Sequence, residues 1–214
     1  MAVEIEAKMR LLDRPALEAR LAETAAERVA VLSETNSYFD TADGGLKASD
    51  QGLRIRVETG AGGARSSSIT HKGPRSHGRL KSRAETELPV DDPRLASDLL
   101  AALGYQHVVT FEKQRVRYAL HDCRVELDTL PLIGVFVEIE GPSDDAVLAV
   151  RRELGLDGAP LIKASYVSLL ISHLRERRVR ETVIRLDPGP ESAAPPDAKP
   201  SDADRSAAAE TPAA

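Results

Sequence analysis

The chain has 214 residues, enough for one domain with a buried core, and sets 29 basic against 34 acidic side chains for a formal charge of −5 at pH 7. Only 3% of its residues are aromatic, which together with the negative charge excludes a general nucleic-acid binder, a class that needs cations and rings for bases to stack on. A single cysteine, Cys123, excludes an intrachain disulfide and a thiolate metal site, and points to a reducing, cytoplasmic compartment.

The start of the chain is charged, with no basic-then-apolar signal pattern. The longest uncharged apolar stretches, Thr129–Val137 and Ala164–Leu174, fall short of the roughly 18 residues that a membrane span needs. A soluble protein with neither nucleic-acid nor membrane partner is expected, and a homodimer is left open.

In chain order, period-two alternation predicts strands at Val3–Met9, Ser37–Asp40, Leu53–Glu58, Ser66–Lys72, Leu80–Leu88, Val108–Leu120, Cys123–Thr129 and Gly134–Glu140. Helical spacing predicts Arg14–Arg28, Pro93–Leu103 before Gly104, Ser143–Leu154 before Gly155, and Ser165–Arg178 with Ser165 as cap. Turn chemistry falls at Ala42–Gly45, Gly60–Gly63, Gly73–Pro74 and Leu120–Asp122. The pattern is α+β and mostly antiparallel. From Asp187 onward there is no Val, Ile, Leu, Met or aromatic residue, and six acids face two bases. Such a segment buries too little apolar surface to offset its chain entropy, so a disordered tail is expected. The domain is accordingly drawn over residues 1–178, with a basic helix end and the acidic tail over 179–214.

The strands carry an unusual polar face. In extended chain, alternate side chains share a side, which collects Glu4, Glu6, Glu85, Glu87, Glu126, Asp128, Glu138 and Glu140 as acids, and Lys8, Arg54, Arg56, Lys72, Arg83, Lys113, Arg115 and Arg117 as bases. A sheet with one wet face accounts for such charges strand by strand. It does not account for their sorting into E-x-E pairs on some strands and R-x-R runs on others, since a solvated face intersperses the signs. Paired carboxylates suit a hard divalent cation such as Mg2+ or Mn2+. Clustered guanidinium and ammonium groups suit a multiply charged anion such as a polyphosphate.

These residues carry a resemblance. Val3-Glu-Ile-Glu-Ala-Lys8 resembles the E-x-E-x-K opening of the CYTH superfamily, the triphosphate tunnel metalloenzymes, which include class IV adenylyl cyclases, thiamine triphosphatases and tripolyphosphatases. Tyr38-Phe-Asp-Thr41, Leu53-Arg-Ile-Arg56, Thr70-His-Lys-Gly-Pro74, Arg83-Ala-Glu-Thr-Glu87, Glu112-Lys-Gln-Arg115, Val125-Glu-Leu-Asp128, Gly134–Glu140 and Ser165–Leu170 follow in the family's order, so the resemblance covers about residues 1–175.

The resemblance implies an eight-stranded antiparallel barrel with a polar interior and helices outside. It also implies a divalent metal, Mg2+ or Mn2+, held by Glu4, Glu6, Glu138 and Glu140 with Glu85 and Asp128 as further ligands or holders of metal-bound water. Glu87 and Glu126 are weaker matches. A phosphate clamp of Lys8, Arg54, Arg56, Lys72, Arg83, Lys113 and Arg115 is implied, with Arg117 and Lys163 as added candidates, and Glu4, Glu6, Lys8 and Lys72 nearest the chemistry.

The expected activity is metal-dependent hydrolysis of the terminal phosphate of tripolyphosphate or an organic triphosphate. The alternatives are a class IV adenylyl cyclase and a polyphosphate- or nucleotide-binding module without turnover. The H-F-x-G-R-like segment that precedes the opening strand in class IV cyclases has no counterpart in Met1-Ala2-Val3, which favours hydrolysis, whereas Glu112–Arg115 and Ser165-Tyr166 resemble cyclase-named members. His71, His77, His107, His121 and His173 lack zinc spacing. Tyr38 and Asp40 are expected to serve packing and a turn rather than the tunnel mouth.

Overall fold

The computed structural model describes residues 2–76 and 78–186. The expected tail and His77 lie outside the described residues.

Among the described residues, nine strands and five helices form in the order β1 (Ala2–Arg10), α1 (Arg14–Ala22), β2 (Glu27–Thr41), α2 (Gly45–Ala48), β3 (Gly52–Gly60), β4 (Arg65–Ser76), β5 (Lys81–Pro89), α3 (Pro93–Ala102), β6 (Tyr105–Leu120), β7 (Cys123–Leu130), β8 (Gly134–Glu140), α4 (Asp144–Glu153), α5 (Tyr166–Glu176) and β9 (Val183–Ile184). The strands run β2-β3-β4-β5-β1-β8-β7-β6, and β6 pairs back onto β2 from Glu27 opposite Ala119 to Thr41 opposite Tyr105. Eight antiparallel strands therefore close on themselves into a barrel. β9 adds in parallel to β6 outside that closed ring, at Thr110 and Phe111.

The helices start where cap chemistry puts them. Asp13, Asp92, Ser143 and Ser165 each accept a backbone N–H from the first turn of α1, α3, α4 and α5, satisfying donors that the helix itself leaves open.

Three local readings change. The helix expected to reach Arg28 stops at Ala22: the Thr24 hydroxyl donates to the Leu21 carbonyl, and residues 27–41 become one long strand because they pair with both β3 and β6. The turn expected at Ala42–Gly45 leads into the short α2. Gly44 enters it at φ 74°, a left-handed conformation glycine adopts without a Cβ clash, and the Asp40 carboxylate accepts the Leu46 and Lys47 N–H groups. The fold also runs past residue 178: Ile184 is buried, and the Leu186 N–H donates to Glu112.

Apolar strand faces pack outward. Ala7, Met9, Val125, Leu127, Val137 and Ile139 meet α1 and α4 through Leu17, Leu21, Val147 and Val150. Phe39, Leu53 and Ile55 meet α3 through Ala96 and Leu100. The interior is ionic as expected except at one end. There Val109, Phe111, Leu130 and Phe136 occupy the inward phase of their strands, the phase of Lys113, Asp128 and Glu138, and pack against Tyr166, Leu170 and Leu174 of α5. α5 thus seats one face in the barrel end and presents Val167, Ser168, Ile171, Ser172 and Arg175 to the cavity.

Candidate functional site

The closed barrel encloses a cavity of about 900 Å3. Glu4, Glu6, Lys8, Arg54, Arg56, Lys72, Arg83, Glu85, Glu87, Lys113, Arg115, Arg117, Glu126, Glu138 and Glu140 all line it, although they come from seven strands. The register explains the convergence. Across neighbouring strands Glu6 faces Lys81 and Glu140, Lys8 faces Glu138, Arg115 faces Asp128, Arg117 faces Glu126, and Lys72 faces Glu85. A strand period of two puts each such pair on the same side of the sheet.

Two of the expected site residues fall elsewhere. Asp128 is fully buried and does not line the cavity. Its oxygens accept from Lys113 Nζ at 3.1 Å and from Arg115 Nε and Nη2 at 2.7 and 2.5 Å, which engages the carboxylate as an anchor for the two cations. Lys163 is exposed and lies outside the main cavity, because residues 162–164 run along β1: the Ile162 N–H donates to the Lys8 carbonyl, and the Lys163 carbonyl accepts from Arg75.

The charges divide into a saturated set and an open set. Around Arg115, the guanidinium also reaches Glu126 at 2.5 Å and Glu138 at 2.8 Å. Lys113 holds Glu34 at 3.1 Å, and Arg56 holds the same carboxylate at 3.1 Å while donating to Asn36. Lys8 Nζ is shared by Glu138 at 3.1 Å, Glu6 at 3.4 Å and the Ala164 carbonyl at 3.2 Å, and sits 4.2 Å from the Tyr166 ring centroid. Lys81 closes on Glu6 at 2.5 Å.

Burial alone would neutralise these groups. For Lys8 burial presses the pKa down, yet Glu138 and Glu6 outweigh it and hold the ammonium well above the usual lysine range. For Glu34 and Glu138 burial pushes up, and the surrounding cations overcome it and hold both carboxyls well below the usual range. Lys8 therefore stays protonated and cannot serve as a base.

The open set lies beside this network. Arg54 and Arg83 are 7% and 6% exposed and line the cavity, yet each Nε has no hydrogen-bond partner, and among the described residues neither guanidinium makes an ion pair. Arg54 makes one long contact, 3.4 Å from Nη2 to the Thr70 hydroxyl. Leaving buried donors unsatisfied is costly, so two such arginines face one cavity with donors open toward it.

Across from them, burial and a hydrogen bond with Glu85 push the Glu4 carboxyl up, against Lys72. Burial likewise pushes Glu140 up, against the Arg124 hydrogen bond. Lys72 bonds Glu85 directly and Glu4 at 3.5 Å. Among the described residues no three His, Cys, Asp or Glu side chains are already gathered as a metal-binding group. Even so, Glu4, Glu85 and Glu140 form an oxygen-only donor set whose mutual repulsion a hard divalent cation relieves, so this is the part of the site that fits one.

Several contributors escape sequence reasoning. Glu34 and Asn36 sit on the half of β2 that carries no clean alternation signal. Lys81 lies within the expected strand Leu80–Leu88, in phase with Arg83, but its partner Glu6 is 75 residues away. Tyr38 does line the cavity, stacked on Phe111 at 5.8 Å, and Asp40 both caps α2 and reaches the cavity mouth. For Tyr38, burial pushes the phenol up, but Arg54, Lys72, Arg56 and Lys113 outweigh it and lower it below the usual value.

Comparison with known proteins places this architecture. The family model described as CYTH domain matches residues 2–166. The chain is 32% identical over 179 residues to Adenylate cyclase CyaB of Aeromonas hydrophila, spanning 78% of this chain and 87% of that one. The PH1819 protein from Pyrococcus horikoshii superposes with a TM-score of 0.70 at 25% identity, over 79% of this chain and 98% of that one. HpAC1 from Hippeastrum shares the fold, with a TM-score of 0.60 at 20% identity, over 79% and 95% of the two chains. Among the described residues no helix is long and apolar enough to cross a membrane.

Proposed function

The chain belongs to the CYTH domain family, and we propose that it is a metal-dependent triphosphatase that removes the terminal phosphate of a triphosphate bound in the barrel. One observation carries this reading: the two buried, unpaired guanidiniums of Arg54 and Arg83 face the same cavity as carboxyls that burial has pushed up. A polyanion satisfies the first, and Mg2+ or Mn2+ the second.

In this reading Arg54 and Arg83 bind the phosphates directly. Lys72, released in part from Glu85 and Glu4, adds a third cation, while Lys113, Arg115 and Arg117 shape the potential from within their ion pairs. Glu4, Glu85 and Glu140 hold the cation, which when bound offsets charge on the phosphate oxygens. Glu6 and Glu138, already engaged by Lys81, Lys8 and Arg115, fix the position of that acidic wall.

A water held against the wall in line with the terminal bridging bond attacks phosphorus, the P–O bond breaks, and orthophosphate leaves. The arginines stabilise the charge left on the departing diphosphate. Enclosure makes each of these charges count for more than on an open surface. A dominant triphosphatase activity is described for HpAC1, which has this fold.

A second reading is adenylyl cyclase, favoured by the 32% identity to a protein named Adenylate cyclase. There the ribose hydroxyl of ATP attacks the α-phosphorus and pyrophosphate leaves. One experiment separates the readings. The full chain, incubated with Mg2+ or Mn2+ and with tripolyphosphate, thiamine triphosphate or ATP, releases orthophosphate that a chelator suppresses. Cyclic AMP with pyrophosphate from ATP selects the cyclase, and binding without any product selects a binding module.

A further inference from the structure

We infer that Tyr166, the first residue of α5, is a positioning residue for the triphosphate: its ring fixes the ammonium groups of Lys8 and Lys113 in the cavity without cancelling their charge. The inference rests on the triphosphate reading above and adds to it a residue that acts through these two lysines.

Shared geometry is the first argument. The Tyr166 ring centroid lies 4.2 Å from Lys8 Nζ and 5.4 Å from Lys113 Nζ, both inside the roughly 6 Å within which a ring face attracts a cation. Lys8 belongs to β1 and Lys113 to β6, strands that do not pair but stand three places apart in the order β1-β8-β7-β6. One ring therefore serves two walls of the barrel. All three side chains are buried and line the cavity, and such contacts strengthen when the cation is desolvated.

The second argument is the kind of anchor a ring is. A carboxylate that holds an ammonium also neutralises it, so a polyanion nearby gains little from the pair. A ring has no net charge; its quadrupole holds the ammonium and leaves the full positive charge to act on the ligand. Both lysines have anchors of each kind. Glu138 and Glu6 hold Lys8, and Glu34 and Asp128 hold Lys113. Without the ring, carboxylates alone would place the two ammonium groups, and would draw them toward the acidic side chains.

The third argument is that the ring is itself held, and that its hydroxyl is not in use. Tyr166 meets Phe136 edge-on, with centroids 5.2 Å apart and planes at 68°, and the Arg10 guanidinium lies 4.8 Å from the Phe136 centroid. On the chain side, the Ala164 carbonyl accepts from Lys8 Nζ and the Ser165 hydroxyl caps α5 by accepting the Ser168 N–H. The start of the helix is thus tied to the very lysine that its first ring orients. The Tyr166 hydroxyl oxygen is buried with no hydrogen-bond partner among the described residues, so what the side chain gives the site comes from its ring face. Seating α5 and placing the two cations are one event.

The test is calorimetric binding of tripolyphosphate to the full chain and to three forms changed at Tyr166: Tyr166→Phe, trifluorophenylalanine placed at the same position, and Tyr166→Leu. Fluorine withdraws electron density from the ring face and nearly preserves its shape, so a ring that only fills space does not register the change. Tyr166→Phe binds within about two-fold of the parent, and the fluorinated ring binds roughly three- to ten-fold more weakly than phenylalanine. Tyr166→Leu, which has no ring, binds at least as weakly as the fluorinated form. Equal affinity of the two ring forms overturns the inference, and so does a loss in Tyr166→Phe, which would assign the role to the hydroxyl. Tyr166 also belongs to the core around α5, so the comparison of the two rings carries the test if Tyr166→Leu fails to fold. Fluorine-sensitive binding without hydrolysis upholds the positioning role and overturns only the triphosphatase reading. Failure of the unsubstituted chain to bind tripolyphosphate overturns both.

Discussion

Two regions of one tunnel use the same residue types at the same strand spacing and end in opposite states. Around Arg115, every cation has found carboxylates: Asp128, Glu126 and Glu138 at 2.5–2.8 Å, and Glu34 through Lys113. On β3 and β5, Arg54 and Arg83 are equally buried and have none. A buried ion pair roughly balances its desolvation cost and holds geometry, whereas a buried unpaired cation is a standing deficit that a ligand removes. In the proposed reading the saturated region is therefore scaffold, and the open region is the one that receives the ligand.

Breaking the saturated side has the largest expected effect. Asp128→Ala removes the fully buried carboxylate that Lys113 and Arg115 share, leaving Lys113 to Glu34 and Arg115 to Glu126 and Glu138, and destabilises the fold by about 3–5 kcal/mol, read as a large fall in Tm. A Tm within a degree or two of the parent would erase the distinction between the two regions. On the open side the order reverses. Arg83→Ala leaves Tm unchanged or raised, because it removes an unsatisfied buried donor, yet weakens tripolyphosphate affinity by about ten- to a hundred-fold through loss of a charge-assisted contact of about 1.5–3 kcal/mol. Titration calorimetry beside thermal melts checks both halves of that statement.

The smallest effect sharpens the comparison through pH. Lys113, Arg56 and Arg115 hold Glu34 below its ordinary value of 4.5 despite its burial. Its contribution is then fully present above about pH 4.5 and is lost as pH falls toward the folded-state value, since the unfolded chain binds the proton first. Glu34→Gln makes the acid limb of the stability curve shallower by up to about 1.4 kcal/mol per pH unit, measured by denaturant unfolding from pH 6 to pH 3. An unchanged limb would mean that Glu34 does not carry the acid sensitivity of the network.

Most of the strand pattern was legible in sequence because charged and apolar side chains alternate strictly along β1, β3, β5, β7 and β8, and each alternation needs only local chain geometry. The first half of β2 was not legible. Residues 29–36 carry neither alternation nor helical spacing, and only pairing with both β3 and β6 makes them strand, so Glu34 and Asn36 give no local signal. Lys163 looked like a phosphate ligand by its place before α5. Its exposure follows from a backbone contact between Ile162 and Lys8 that no local pattern encodes.

The sequence by itself determined the sorting of charge: which side chains share a strand face, where α5 is capped, and that acids and bases segregate by strand. These follow from a period of two, a period of 3.6 and the reach of a cap side chain, all within a few residues. Only the tertiary structure decided which charges neutralise one another and which stay open, and that α5 stoppers one end of the barrel. Those outcomes depend on strand register and closure across the barrel, where a shift of one residue would send every charge in a strand to the other face.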